Sequence, residues 1–110
     1  MIRLKPGVRL KELQPQMALA AHVVDGVFYD FSILECWITS ANDGRHSPTS
    51  LHYRDGLCRA LDFRTHQTDL DGREVALRNE VKARLGDDFD VVLEDVGGPN
   101  EHLHVEYDPK

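Results

Sequence analysis

The stretch that decides the fold reads EHLHVEY and covers residues 101–107 of a 110-residue chain. Successive side chains of a β-strand point to opposite faces, so a strand here predicts His102, His104 and Glu106 on one face. The other face then collects the apolar side chains of Leu103, Val105 and Tyr107. One face therefore belongs to the core and the other offers two imidazoles, with Glu106 expected to be a solvated carboxylate farther along.

Two earlier segments show the same period of two. Residues 60–65 predict a short strand that turns Leu61 and Phe63 inward and Asp62 and Arg64 outward. Residues 89–93 alternate in the same way, and the sequence Gly-Gly-Pro-Asn at residues 97–100 is a turn signal. Because a short turn joins only antiparallel neighbours, the last two strands are predicted to pair antiparallel.

The helical signals lie between these strands and before them. Apolar residues recur at three-and-four spacing over residues 17–31, which predicts an amphipathic helix. A second apolar row over residues 77–85 ends at Gly86, a common helix stop. Asp71, followed three residues later by Glu74, resembles a capping box and predicts the start of this second helix.

Taken together, the elements predict an α+β fold, with a small antiparallel sheet and helices packed on one of its faces. Residues 33–40 supply another buried strand, and residues 1–14 are expected to be an extended or irregular lead-in. A chain of 110 residues is long enough for one modest core, so residues 1–110 are predicted to form a single domain.

Composition narrows the classes of partner. The formal net charge is −6, with 13 basic against 19 acidic residues, which argues against nucleic-acid binding because phosphates require a clustered basic face. No apolar run is long enough for a membrane span and the start lacks a signal-peptide core. We therefore expect a monomer, synthesised in the cytoplasm, that contacts neither nucleic acid nor membrane.

The two cysteines are too few for a disulfide scaffold and lack CxxC spacing. Cys36 lies in an apolar stretch and is predicted to be a small core residue. Cys58 falls in the segment after His52, where a spare thiol is the preferred interpretation and a soft metal ligand is the alternative.

The polar residues point to a metal site. A catalytic zinc needs three nitrogen or oxygen ligands from the protein, an open position for water, and a base that accepts a proton. The histidines of residues 102–104 supply nitrogens, and His52 lies in a loop with many functional side chains, the kind of segment in which sites are built. These residues predict a small zinc hydrolase.

Two sequence motifs relate the predicted zinc hydrolase to a known family. Residues 50–65 read SLHYRDGLCRALDFRT and residues 101–104 read EHLH. In this order they resemble the zinc peptidases of the D-Ala-D-Ala carboxypeptidase and hedgehog fold, which carry Ser-x-His-x-x-Gly-x-Ala-x-Asp and a later Glu-x-x-His or His-x-His. The resemblance spans residues 36–108 and is greatest to short, single-domain forms encoded by phages and prophages.

The resemblance implies roles for individual residues. His52, Asp62 and His104 match the zinc ligands, and Glu101, three residues before His104, matches the general base. Arg45 matches an upstream arginine that donates to the oxyanion of the reaction.

Three further residues are predicted to contact substrate or to support the site. Ser50 supports the site by hydrogen bonding, Tyr53 lines the cleft beside the first ligand, and His102 shares a strand face with the last one.

The sequence departs from the family pattern in one place. Relatives place the aspartate seven positions after the histidine, whereas Asp62 is ten after His52 and the strict match is Arg59, which does not bind a cation. Either three residues bulge out and Asp62 still points inward, or Asp55 or Cys58 replaces it, or the site is inactive. A bulge is favoured because Ala-Leu-Asp preserves the family flank and longer loops cost little free energy.

The resemblance therefore implies a zinc-dependent peptidase that cuts peptidoglycan stem peptides, at D-Ala-D-Ala or L-Ala-D-Glu bonds. In a phage, such an endolysin-like enzyme would act on the cell wall during host lysis or virion entry. The alternative is a non-catalytic zinc module of the same fold that serves as a virion or partner-binding component. A metal-free α+β protein of another role is the third hypothesis.

Overall fold

The computed structural model describes residues 1–41, 56–66 and 68–110. In these ranges, two helices and five strands follow one another along the chain. They are β1 (Ile2–Leu4), α1 (Pro15–Asp30), β2 (Cys36–Ser40), β3 (Ala60–Arg64), α2 (Glu74–Leu85), β4 (Phe89–Glu94) and β5 (His102–Tyr107). The α+β class predicted from the sequence is confirmed.

The strands form one sheet in the order β1-β2-β3-β5-β4. Three of the four pairings are antiparallel, including the predicted pair of β4 with β5. β1 instead runs parallel to β2, so the sheet is mixed and the wholly antiparallel sheet predicted from the sequence is wrong. The parallel pairing follows from α1, which connects β1 to β2 as a crossover.

The same strand gives a sheet partner to part of the extended or irregular lead-in expected over residues 1–14. β1 has only three residues, too few for alternation to be recognised in the sequence. It exists because its backbone pairs with β2, with Ile2 opposite Cys36 and Leu4 opposite Ile38.

The core lies between the helices and one face of the sheet. Strands β3, β4 and β5 turn alternate side chains into this core. Leu61 and Phe63 of β3, and Leu103 and Val105 of β5, are fully buried. The helices meet them with apolar side chains that include Met17, Val24, Phe28, Leu77 and Val81. The opposite face of β3, β4 and β5, called the polar face below, carries the charged residues.

The helix ends follow the sequence only in part. Gly86 ends α2 as predicted: its φ is 84°, a conformation that favours glycine, and its N–H bonds to the carbonyl of Lys82. The predicted capping box is wrong, because the residue preceding α2 is Arg73 and no side chain caps the helix. Asp71 takes a left-handed conformation, with a φ of 52°, in the preceding turn.

Both cysteines are buried. Cys36 is a core residue, as predicted, and burial raises the pKa of its thiol far above the ordinary range. The Cys58 thiol donates a hydrogen bond to the Ala60 carbonyl at 3.2 Å. Among the described residues, no helix has both the length and the apolar character needed to cross a bilayer.

The fold predicts a sharp contrast between two leucine-to-alanine substitutions. Leu103→Ala removes a fully buried side chain from the interior strand β5 and should lower the free energy of unfolding by about 2–5 kcal/mol. Leu19→Ala, at a site on α1 that is 70% exposed, should change it by about 0.5 kcal/mol or less. Urea denaturation of both variants measures the difference, and equal effects would contradict the position of the core.

Candidate metal centre

The polar side chains come together because β5 lies between β3 and β4 in the sheet. Asp62 lies directly opposite His104, and His102 lies opposite Arg64 on one side and Glu94 on the other. Side chains that oppose each other in paired strands share a face, with Cβ atoms about 5 Å apart. The register therefore brings polar residues from three strands into contact.

Asp62, His104 and Glu94 form the centre of this cluster. Asp62 Oδ1 is 2.7 Å from His104 Nδ1, and Glu94 Oε1 is 3.8 Å from the same nitrogen. One ligand atom from each of the three residues lies within 4.8 Å of the other two. Carboxylate oxygens and an imidazole nitrogen at such spacing could hold a metal ion.

Glu106 holds the other side of the His104 ring. Its Oε1 is 3.2 Å from Nε2. Glu106 is 8% exposed, so the expectation of a solvated carboxylate is wrong. The reason is that β5 is an interior strand, with β3 on one side and β4 on the other. A proton on Nε2 would be donated to Glu106, and this contact would fix the ring with Nδ1 directed at Asp62 and Glu94.

The charges of the cluster shift two pKa values. Burial opposes protonation of His104, but the hydrogen bond and charge of Asp62, helped by the charges of Glu106 and Glu94, outweigh burial and raise its pKa. Burial raises the pKa of Glu106, against the opposing charge and hydrogen bond of His104. In the metal-free protein, the His104 ring thus lies between the carboxylates of Asp62 and Glu106, and its surroundings favour the protonated form.

His102 lies at the edge of this cluster. Its Nδ1 is 2.6 Å from the Asn100 carbonyl, and its Nε2 is 3.0 Å from Glu94 Oε1. Nε2 also lies 3.8 Å from Asp62 Oδ1. The ring therefore orients Glu94, and its predicted contact with substrate stays a prediction.

Glu101, the predicted general base, lies in the turn before β5 and is 6% exposed. Its Oε2 accepts a hydrogen bond from the Gly97 N–H at 2.8 Å. The described residues make no hydrogen bond to its other oxygen, Oε1. Glu101 shares the lining of a small cavity with His102 and Arg64. Its role as a base stays a prediction.

The structure brings together two of the three predicted zinc ligands, Asp62 and His104. His52, predicted as the third, lies outside the described residues, as do Arg45, Ser50, Tyr53 and the alternative ligand Asp55.

Of the alternatives to Asp62, Cys58 is the one that the structure describes. It belongs to the buried core and its thiol bonds to the Ala60 carbonyl, outside the cluster. The favoured choice of Asp62 is thus consistent with its position beside His104.

Glu94 is the member of the cluster that the sequence reasoning missed. The alternation of residues 89–93 already placed Asp90 and Val92 opposite the core, and Glu94 continues that row. Its partner depends on the register of the hairpin, in which Leu93 faces Leu103 and Glu94 faces His102. Matching the apolar residues across the turn would have identified it.

Comparisons of the chain with models of protein families, with curated proteins and with solved structures gave no match.

The hydrogen bond between Asp62 and His104 predicts a measurable coupling. Asp62→Asn removes the negative charge that most favours the protonated ring, so the pKa of His104 should fall in the metal-free protein. NMR titration of the imidazole carbons measures this pKa. Asp71→Asn, which removes a carboxylate from the turn before α2, is the control and should leave it unchanged. An unaltered His104 pKa in the Asp62 variant would contradict the coupling.

Proposed function

We propose that this protein is a zinc-dependent peptidase that cleaves the stem peptides of peptidoglycan. The observation that supports the proposal is the 2.7 Å contact between Asp62 Oδ1 and His104 Nδ1. Both residues match ligand positions of the carboxypeptidase motifs, and they come from segments 42 residues apart in the chain.

The donor chemistry of the cluster fits zinc. Zinc takes imidazole nitrogens and carboxylate oxygens, and catalytic sites use three protein ligands. Asp62 and His104 supply two, and the third is Glu94 or, as the resemblance implies, His52. Glu106 Oε2 is buried without a hydrogen-bond partner in the described ranges, and an unsatisfied carboxylate oxygen favours a cation nearby.

A zinc ion bound here would act as a Lewis acid toward the scissile carbonyl and lower the pKa of a water to about 7. Glu106 would keep the His104 ring in one tautomer, with Nδ1 directed at the ion. Glu101 would accept the proton of the attacking water at Oε1 and return it to the leaving amine, while the Gly97 N–H holds Oε2.

The substrate class and the finer fold assignment rest on the resemblance of residues 50–65 and 101–104 to hedgehog-type and D-Ala-D-Ala carboxypeptidases. By the same resemblance, Arg45 would stabilise the oxyanion, while Ser50 and Tyr53 would contact substrate. The short single-domain relatives that these motifs resemble suggest a role in lysis of a phage host.

The orienting role of Glu106 predicts its effect on zinc affinity. Glu106→Gln should weaken zinc binding about 10- to 100-fold, because residues behind a ligating histidine typically contribute this much. Competition with a chromogenic chelator measures the dissociation constant. Asp90→Asn is the matched control, since Asp90 lies opposite Glu106 on the same face and carries the same charge. Equal effects of the two substitutions would show a general electrostatic effect and contradict the orienting role.

Measurements of kcat and zinc affinity distinguish the roles of Glu101 and Glu94. Glu101→Gln should reduce kcat for cleavage of a stem pentapeptide about 100- to 10,000-fold while zinc affinity persists. Glu94→Gln should weaken zinc binding if Glu94 is the third ligand. Loss of turnover with intact zinc binding in the Glu94 variant would move the base to Glu94. A zinc-loaded wild-type protein that cleaves no stem peptide would favour the non-catalytic zinc module.

A further inference from the structure

Arg64 is an arginine of the polar face that has no carboxylate partner among the described residues. It lies on β3, two residues from Asp62, and its guanidinium carbon is 5.5 Å from the centroid of the Trp37 ring. Its Nε–H is buried and has no acceptor within the described ranges.

The terminal nitrogens of the Arg64 guanidinium are the groups that a ligand could use. No hydrogen bond or ion pair joins them to a described residue, and the buried Nε–H has no acceptor there either. Their N–H groups form the planar fork that matches a carboxylate. An arginine that makes no salt bridge within the described ranges is suited to bind an anionic ligand.

Arg64 lines a cavity of about 230 Å³. Most of its other side chains are basic or neutral polar: Lys5, Thr39, His66, Asn100 and His102. Glu101 is the one acidic side chain among the described lining residues, and Gly97 already donates to its Oε2. Two cationic side chains, Arg64 and Lys5, thus line the cavity beside one carboxylate, although the protein as a whole is acidic.

We infer that this cavity is a subsite for a carboxylate of the substrate and that Arg64 is its specificity-determining residue. The inference rests on the proposed function for the nature of the substrate, a peptide. Asp62 and Arg64 are separated by two positions of one strand, about 6.6–6.8 Å along it. A peptide carbonyl at the candidate metal centre would thus have a carboxylate of the same or the next residue within reach of the guanidinium.

Two carboxylates of a stem peptide meet this description. One is the C-terminal carboxylate, which a carboxypeptidase substrate would present. The other is the free carboxylate of the D-Glu residue, which an endopeptidase substrate would present near an L-Ala-D-Glu bond. Both offer the same bidentate acceptor to Arg64, so the experiment must distinguish them.

Trp37 supplies a reporter that does not depend on activity. It is the one tryptophan of the chain and its ring lies beside the Arg64 guanidinium, so its single indole N–H cross-peak in an NMR spectrum reports on changes at Arg64. The protein is titrated, with and without zinc chloride, with the pentapeptide L-Ala-D-Glu-L-Lys-D-Ala-D-Ala. Two analogues follow: the same peptide with a C-terminal amide, and the same peptide with D-Gln in place of D-Glu.

The parent peptide should shift the indole cross-peak, and one of the analogues should bind about 10- to 100-fold more weakly, as expected for loss of a charged hydrogen bond. Weaker binding of the amide identifies the C-terminal carboxylate as the ligand. Weaker binding of the D-Gln peptide identifies the D-Glu carboxylate. Equal binding of all three peptides, or no binding of any, would overturn the subsite.

Variants test the arginine itself. Arg64→Gln should abolish the preference for the charged peptide, and Arg64→Lys should retain part of it, because lysine keeps the charge without the planar fork. Arg9→Gln, at an exposed position, is the control for net charge and should keep the full preference. The ratio of affinities for charged and neutral peptides is the decisive quantity, since a merely structural role of Arg64 would weaken both alike.

The test of the subsite and the test of the proposed function can fail independently of each other. Failure of the wild-type protein to bind zinc or to cleave any stem peptide overturns the peptidase proposal, while a charge preference that depends on Arg64 still establishes the subsite. A zinc-bound, active protein in which Arg64→Gln retains the wild-type preference overturns the subsite alone.

Discussion

The antiparallel pairing of β3 with β5 is the constraint on which the structure depends. Leu61 faces Val105 and Phe63 faces Leu103, while the residues between them place Asp62 opposite His104. Each of the four buried side chains contributes about 1.5–3 kcal/mol by burial, whereas one charged hydrogen bond contributes about the same amount by itself. The core therefore fixes the register, because a slip of one residue would turn four apolar side chains outward. The geometry of the candidate metal centre is a consequence of that choice.

The electrostatics of the polar face favour a positive charge at the centre of the cluster. Asp62, Glu94 and Glu106 converge on one imidazole, and two of these three carboxylates are largely buried. Burial raises the pKa of Glu106. Burial opposes protonation of His104, but the hydrogen bond and charge of Asp62 outweigh it and raise the pKa of the ring. The negative charges that favour a proton on His104 would also favour a divalent ion beside it.

The sequence pattern within a single segment was enough to predict which face of a strand is buried. The period of two in residues 60–65 and 102–107 correctly assigned a buried and a polar face to β3 and β5, because alternation is a property of the strand itself. Asp71 and Glu74 failed as a capping box because Asp71 is used in a left-handed turn, an alternative open to short polar side chains. β1 and Glu94 were missed for another reason: both acquire their roles through pairing with a distant or neighbouring strand, which no single segment encodes.

The polar face places a group of carboxylates and an arginine at neighbouring positions. Asp62 lies opposite His104, and His102 lies between Glu94 and Arg64, next to the cavity that Arg64 and Lys5 line. Under the proposed function, a cation held by Asp62 and His104 would meet a peptide carbonyl while Arg64 would meet a carboxylate of the same peptide. Because Asp62 and Arg64 lie on one strand, their separation is set by the rise of a β-strand and not by a flexible loop. A fixed separation would allow the site to select the one peptide bond that lies at the matching distance from the substrate carboxylate.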